Sequence, residues 1–180
     1  ICPDKAAFDR AQAKEMSEKS LRRNYYWGGR EWPYRDISPR IIAEAYMENE
    51  SRGELLDYKF MMFGGEHRCA FVCSNRFLGG KLNVTVFDPA WNRMPFERHY
   101  RADTQPFARP ACYDEMIRVS RRLSEGLPFV RVDLYEIGGR VYCGEMTLYP
   151  GSGLETCQPE EWDYKLGEWL DLMSFFPEEF

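Results

Sequence analysis

The chain has 180 residues, of which 44% are hydrophobic and 16% aromatic, so it can bury the core of one domain or somewhat more. Its net charge of -5 argues against nucleic-acid binding, because that partner requires a basic face. No apolar run approaches the roughly 20 residues that span a bilayer, and no signal segment opens the chain, so we expect a cytoplasmic protein. The six cysteines form no Cys-x-x-Cys pair, which predicts reduced thiols rather than a zinc site.

The N-terminal part of the chain predicts one helix followed by an ordered loop. Asp4 can accept hydrogen bonds from the first free backbone N–H groups, and good helix formers follow it, so we predict a helix from Asp4 to about Leu21. The segment from Asn24 to Pro39 is rich in aromatic residues and turn formers, which indicates a loop.

Short strands and two helices are predicted along the rest of the chain. Runs of β-forming residues, bounded by Gly64-Gly65 and Gly79-Gly80, predict strands at roughly Arg40 to Met47, Tyr58 to Phe63, His67 to Cys73 and Lys81 to Phe87. One helix follows Pro110 and extends to about Glu125. Pro159 opens a last helix that carries an apolar stripe of Trp162, Leu166, Trp169 and Met173. This order predicts an α+β fold, an antiparallel sheet with helices packed on one side.

Between these helices, the stretch from Phe129 to Gly153 predicts a β-hairpin that turns at Gly138-Gly139. A two-residue turn would leave Asp133 and Glu145 on opposite faces, because side chains alternate along a strand. A three-residue loop from Gly138 to Arg140 places Asp133 opposite Glu145 and gives one polar and one mostly apolar face. We therefore predict the three-residue loop, with Arg131 opposite Thr147.

Two carboxylates at this distance repel each other unless a cation lies between them. Magnesium is the natural candidate, because it prefers oxygen ligands and often binds one or two carboxylates together with substrate phosphates. The alternative is a hairpin whose charges only face solvent.

The same residues carry a family resemblance. RVD followed by EMTLYPG resembles the metal-binding end of the ATP-grasp carboxylate-amine ligases. PRIIAEAYME, DYKFMMFGGE, FVRVDLYE, LYPGSG and EEWDYKLGEWL together resemble the TupA-like ATP-grasp proteins of cell-surface polymer and polysaccharide biosynthesis, over nearly the whole chain. The chain departs from the family pattern at Thr147, where relatives usually carry asparagine.

The resemblance implies roles for particular residues. Asp133, Glu145 and Thr147 would hold Mg²⁺, and Arg131 would steady the oxyanion of a tetrahedral intermediate. Lys59 and Arg76 would bind the phosphates of ATP. The alternative is that either one is a solvated surface charge. A hinge over the adenine edge would be formed by Glu44, Ala45, Tyr46 and Met47. The alternative for this segment is a buried strand that contains one glutamate.

The resemblance begins in the middle of the family's nucleotide-binding subdomain, so we expect a fragment that lacks the N-terminal part of the fold, including a strand lysine and a glycine-rich loop. Residues 1–39 would be the remnant of that subdomain, and residues 40–180 the C-terminal subdomain with the hinge and the metal site. The expected activity is ATP-dependent ligation of a small-molecule or polymer carboxylate to an amine, through an acyl phosphate. Other possibilities are a non-catalytic module that binds a glycan through its aromatic loop, and a nucleotide-binding accessory protein.

Overall fold

The computed structural model describes residue 2 and residues 4–47, 55–76 and 81–177 of the chain. The chain divides into two compact units, Ile1–Met47 and Glu48–Phe180. None of the described helices has the length and apolar character needed to cross a membrane. The division at residue 39 concerns functional subdomains and stays a prediction. The predicted boundary at Gly79-Gly80 lies outside the described residues.

The first unit is helical. A 3₁₀ turn covers Lys5–Ala7, helix α1 covers Arg10–Leu21, helix α2 covers Tyr26–Gly29, and a second 3₁₀ turn covers Trp32–Tyr34. The predicted end of the first helix is confirmed, but its predicted start at Asp4 is wrong. Asp4 caps only the 3₁₀ turn, through Ala6 N at 2.8 Å, and Asp9 caps α1 through Gln12 N at 2.9 Å. Two successive caps therefore separate what the sequence suggested was one helix.

The strand predicted for residues 40–47 is wrong. These residues have no regular secondary structure, and no strand occurs in the described part of the first unit that could pair with them. Their apolar side chains are not buried either, since Ile41 is 53% and Ile42 82% exposed. The alternative of a buried strand with one unpaired glutamate is therefore also wrong, because Glu44 is exposed.

The second unit contains a five-stranded antiparallel sheet, which confirms the predicted α+β class. Strand bounds are Asp57–Phe63 for β1, Glu66–Ser74 for β2, Asn83–Phe87 for β3, Phe129–Ile137 for β5 and Arg140–Thr147 for β6. These strands lie in the spatial order β3-β2-β1-β5-β6, in which β1 and β5 are joined by a long connection and the other neighbours are consecutive along the chain. The sequence missed a second, two-stranded sheet, in which β4 at Glu97–Arg98 pairs with β7 at Cys157–Gln158. Strands of two residues are too short to leave a pattern in the sequence.

Apolar side chains cover both faces of the five-stranded sheet. On one face, Phe60 and Val132 pack with Met116 of helix α3, which covers Tyr113–Leu123. On the other face, Met61 and Phe71 belong to a second cluster. Helix α4, Glu161–Glu168, packs against this second cluster, so the helices of this unit do not all lie on the side predicted for them.

The apolar stripe predicted for the last helix is only partly helical. Trp162, Leu166 and Trp169 do pack against the second cluster, but α4 ends at Glu168, with Trp169 as its C-cap. Met173 lies beyond the helix and is 55% exposed. Helix propensity falls at Gly167, one residue before the end of α4, which the hydrophobic spacing alone did not reveal.

The hairpin of β5 and β6 differs from the prediction in its turn but not in the pairing of Asp133 with Glu145. Ile137 pairs with Arg140, so the turn has two residues, and the predicted three-residue loop is wrong. Gly138 and Gly139 have φ of 57° and 74°, which suits a type I′ turn. A β-bulge at Gly144 then adds one residue to β6 and returns Asp133 to a position opposite Glu145.

Candidate functional site

Six charged or polar side chains lie in a row across the three strands β1, β5 and β6. Lys59 pairs with Asp133, and Asp133 pairs with Glu145, so these three side chains share one face of the sheet. Residues two positions away on the same strands point to the same face. They are Asp57 on β1, Arg131 on β5 and Thr147 on β6.

Asp133 is the centre of this row. It is 2% exposed, and a buried carboxylate without partners would be costly. Arg131 supplies two hydrogen bonds, from Nε to Oδ1 at 2.7 Å and from Nη2 to Oδ2 at 2.8 Å. Lys59 Nζ donates to the same Oδ2. The buried carboxylate of Asp133 is thus paired with two cations, and removal of either cation would strongly destabilise the folded protein.

Arg131 also reaches the second carboxylate of the predicted pair. Its Nη2 lies 3.6 Å from Glu145 Oε1, so in the structure the guanidinium is the cation that relieves repulsion between Asp133 and Glu145. Glu145 is 60% exposed in its side chain, and its Oε1 accepts a hydrogen bond from Thr147 Oγ1 at 2.7 Å. Burial opposes the charged form of Arg131, but its bond to Asp133 and the nearby carboxylates outweigh this and raise its pKa.

Asp57 forms a second anionic point on β1. Its Oδ2 lies 2.7 Å from Lys59 Nζ and 3.2 Å from Arg76 Nη2. Burial raises the pKa of Asp57, and the charge of Asp133 adds to that rise, whereas Lys59 lowers it. For Lys59 itself, burial lowers the pKa, but the charges of Asp57 and Asp133 outweigh burial and raise it. One lysine is therefore held between two buried carboxylates.

The row, apart from Thr147, lines a pocket of about 270 Å³ in the second unit. The pocket wall also contains Arg98 of β4 and Glu155, whose side chains form an ion pair at 3.1 Å. Arg98 Nη2 also donates to the carbonyl oxygen of Pro150 at 3.1 Å, so it attaches the turn Pro150–Gly153 to the second sheet. The charged lining comprises four cations and four anions, namely Lys59, Arg76, Arg98, Arg131, Asp57, Asp133, Glu145 and Glu155.

Nearly the whole chain matches the sequence pattern of a known protein family. The model of the family described as TupA-like ATPgrasp matches residues 1–171. The chain belongs to this family. No curated protein and no solved structure matches it. Membership of an ATP-grasp family indicates ATP-dependent ligase activity.

The TupA-like chain offers donors of the kind that magnesium prefers. Asp133, Glu145 and Thr147 are hard oxygen donors on one face, and the exposed Glu145 can be approached from the pocket. Asp133 is engaged by Arg131 and Lys59, but its Oδ1 accepts only the bond from Arg131 Nε among the described residues, so this oxygen keeps a lone pair for a metal. Within the described ranges there is no group of three or more His, Cys, Asp or Glu side chains arranged to hold a metal ion. A magnesium ion here would therefore depend on phosphate oxygens and water for most of its shell.

The structure brings together only part of the predicted site. Lys59 and Arg76 lie with the Asp133 row at one pocket, and they share Asp57 as a partner. The residues predicted for the adenine hinge, 44–47, lie in the first unit, where Glu44, Ala45 and Tyr46 are exposed and Met47 is half-buried. Their role stays a prediction.

Sequence reasoning missed Asp57, Arg98 and Glu155. The first could have been found, because Asp57 is two residues before Lys59 in a strand and must share its face. Arg98 and Glu155 meet only because β4 pairs with β7. Neither segment contains a sequence pattern that predicts this pairing, because each strand has only two residues.

Proposed function

We propose that this chain acts as an ATP-dependent carboxylate-amine ligase that works through an acyl phosphate, in the biosynthesis of a cell-surface polysaccharide or polymer. The observation that supports this best is the row of charges across β1, β5 and β6. This row brings the cation Lys59 beside the carboxylates of Asp133 and Glu145, at one pocket of a chain in an ATP-grasp family, which supports a site for phosphates and a metal.

Lys59 and Arg76 are proposed to bind the terminal phosphates of ATP. Both are present at the pocket, and each has a buried carboxylate that limits its side-chain freedom, so less entropy is lost when the phosphates bind. When bound at Asp133, Glu145 and Thr147, Mg²⁺ would supply a positive charge that stabilises phosphoryl transfer.

Arg131 is proposed to donate to the oxyanion that forms when the amine attacks the acyl phosphate. Its fork is fixed by two hydrogen bonds to Asp133, and the side chain is only 16% exposed. A preorganised guanidinium in a partly dry site stabilises developing negative charge better than a solvated one. The carboxylate of Asp133 therefore has a second task, which is to aim Arg131.

The adenine ring is proposed to bind at residues 44–47, mainly through backbone groups, with Glu44 accepting from the amino group and Met47 donating to the ring. This assignment and a cytoplasmic location rest on the resemblance and the sequence. The carboxylate substrate would be a uronic acid or an amino acid.

Glu145→Gln in the full-length protein tests the proposal. The amide keeps the shape of the side chain but removes one charge from the proposed magnesium shell, so we expect ATP-dependent phosphate release to fall by roughly 100-fold or more. Release is measured with magnesium-ATP and a panel of uronic acids and amino acids as carboxylate and amine. Because Glu145 is 60% exposed in its side chain, the thermal melting temperature should change little.

The matched control is Glu168→Gln, since Glu168 is also an exposed glutamate but lies on α4, outside the residues that line the pocket. It should retain full activity. Asp163 is unsuitable as a control, because both its oxygens accept from Cys157 N at 3.0 Å and so hold β7. Equal turnover of Glu145→Gln and wild type at limiting magnesium would contradict the proposed site.

A second candidate, glycan binding without catalysis, is favoured by exposed aromatic rings in the first unit. Trp27 is 65% and Trp32 59% exposed. Guanidinium groups already lie over both rings, Arg30 at 4.7 Å from the Trp27 centroid and Arg35 at 3.9 Å from that of Trp32. A sugar would have to replace them to stack there. Magnesium-ATP should raise the melting temperature of a ligase, or of a nucleotide-binding accessory protein, and leave that of a pure glycan-binding module unchanged.

A further inference from the structure

We propose that Asp57 is the general base that takes a proton from the incoming amine, a role that rests on the proposed ligase function. The geometry points to this residue because its side chain lines the pocket and one of its carboxylate oxygens is buried without a hydrogen-bond partner.

The two oxygens of Asp57 have different surroundings. Oδ2 is held by Lys59 and Arg76, which fixes the orientation of the carboxylate. Oδ1 has no partner among the described residues, although Asp57 as a whole is only 5% exposed. A buried carboxylate oxygen left unpaired has a substantial energetic cost, and Asp57 is a residue that lines the pocket, which points to a partner that arrives with the substrate. A protonated amine is such a partner, because it is a cationic donor.

The other carboxylates among the described residues that line the pocket are already engaged. Asp133 accepts from Arg131 and Lys59 with both oxygens. Glu145 accepts from Thr147 and is proposed to bind the metal, and Glu155 is paired with Arg98. Burial also raises the pKa of Asp57, which brings its basicity closer to what proton transfer near neutral pH requires.

In the proposed step, Asp57 deprotonates the amine that attacks the acyl phosphate. An amine enters as an ammonium ion and loses one proton to Asp57 Oδ1. The freed lone pair forms the C–N bond at the acyl carbon, the C–O bond to phosphate breaks, and the phosphate leaves with the bonding electron pair. A second proton from the nitrogen leaves with the phosphate. The proton on Asp57 passes to water when the amide product departs, which restores the carboxylate.

The test compares two nucleophiles in wild type and Asp57→Asn, with galacturonate as the carboxylate and magnesium-ATP. Glycine is protonated at neutral pH and needs a base, whereas hydroxylamine is largely unprotonated and does not. We expect Asp57→Asn to reduce glycine-dependent phosphate release by about 100-fold or more, and hydroxylamine-dependent release by less than about 5-fold. The control Asp114→Asn, at a carboxylate 91% exposed on α3, should resemble wild type with both nucleophiles.

Each outcome decides between roles. An equal loss with glycine and hydroxylamine would mean that Asp57 only orients Lys59 and Arg76, and would overturn the inference. Unchanged rates with both would overturn it as well. Failure of the wild type to release phosphate with either nucleophile would instead overturn the proposed ligase function. If Asp57→Asn does not melt cooperatively, Asp57→Ser replaces it, because its smaller hydroxyl still offers Lys59 an acceptor, and the same comparison of the two nucleophiles applies.

Discussion

Gly144 is the residue on which the register of the candidate site depends, and Gly144→Ala tests that dependence. The β-bulge at this position lets a two-residue turn coexist with the pairing of Asp133 and Glu145. A Cβ added at Gly144 would lie 2.5 Å from Cε2 of Tyr135 and 3.2 Å from its Cζ and hydroxyl oxygen. Nonbonded carbon atoms do not approach to 2.5 Å, so the ring of Tyr135 must move.

The expected cost follows from two opposing effects. Overpacking of this kind typically costs about 1–3 kcal/mol, and the lower half of that range applies because Tyr135 is half-buried and can turn away. Replacing glycine by alanine also restricts the unfolded chain, which stabilises the protein by about 0.4–1 kcal/mol where the backbone tolerates it. Gly144 does not have a positive φ, so this gain applies. We expect a net loss of about 1 kcal/mol in the free energy of unfolding.

Urea denaturation measures the effect in four proteins: wild type, Gly144→Ala, Tyr135→Ala and the double variant. If contact with the ring causes the loss, Gly144→Ala should be neutral or stabilising once Tyr135 is alanine, and the cycle should show a coupling energy of about 1–2 kcal/mol. Gly167→Ala is the control, because a Cβ on this glycine of α4 meets nothing within 4 Å and should only stabilise. The same loss in both backgrounds would refute the assignment of Gly144 as a close-contact bulge residue.

Two further predictions concern buried titratable groups. Burial lowers the pKa of His67 to about 4, below the 6.5 of an unfolded histidine, so its stability contribution is complete above about pH 6.5 and is lost as the pH falls toward 4. Between about pH 8 and pH 5, the free energy of unfolding of wild type should fall by about 2 kcal/mol more than that of His67→Phe. The control is His99→Asn, at an exposed histidine, which should behave as wild type. Parallel curves of unfolding free energy against pH for wild type and His67→Phe would contradict this prediction. Burial raises the pKa of Cys73 to about 11 and that of Cys157 to about 12, so a thiol reagent at neutral pH should label exposed Cys143 before either of them. Rapid labelling of Cys73 or Cys157 in the folded protein would contradict their burial.

The sequence allowed much of the sheet to be predicted, because its strands are separated by glycine pairs and rich in β-forming residues. Strand β1 was predicted from Tyr58 and begins at Asp57, and β2 was predicted from His67 and begins at Glu66. The prediction failed at residues 40–47, where an apolar run was interpreted as a strand. Hydrophobicity indicates that a segment tends to be buried, but a strand also needs a neighbouring strand to accept its hydrogen bonds.

The candidate site was predicted only where its residues lie on neighbouring strands. Pairing of Asp133 with Glu145 follows from alternation along a hairpin, and Lys59 was recovered through family resemblance. The Arg98–Glu155 pair could not be predicted, because it depends on two-residue strands that are far apart in sequence. Local patterns reveal which residues share a face, whereas the closing of a pocket by distant segments is a property of the tertiary fold.

The hairpin shows why its register was predicted correctly although the length of its turn was not. The sequence predicts a three-residue loop because only that loop separates a polar from an apolar face of the hairpin. The structure achieves the same separation with a two-residue turn and a β-bulge at Gly144. Both solutions add one residue to β6 between the turn and Glu145. Burial of Val132 and Leu134 on one face and the charges of Arg131 and Asp133 on the other constrain the register more strongly than the turn does. The glycine at position 144 accommodates that constraint, since a side chain there would collide with Tyr135.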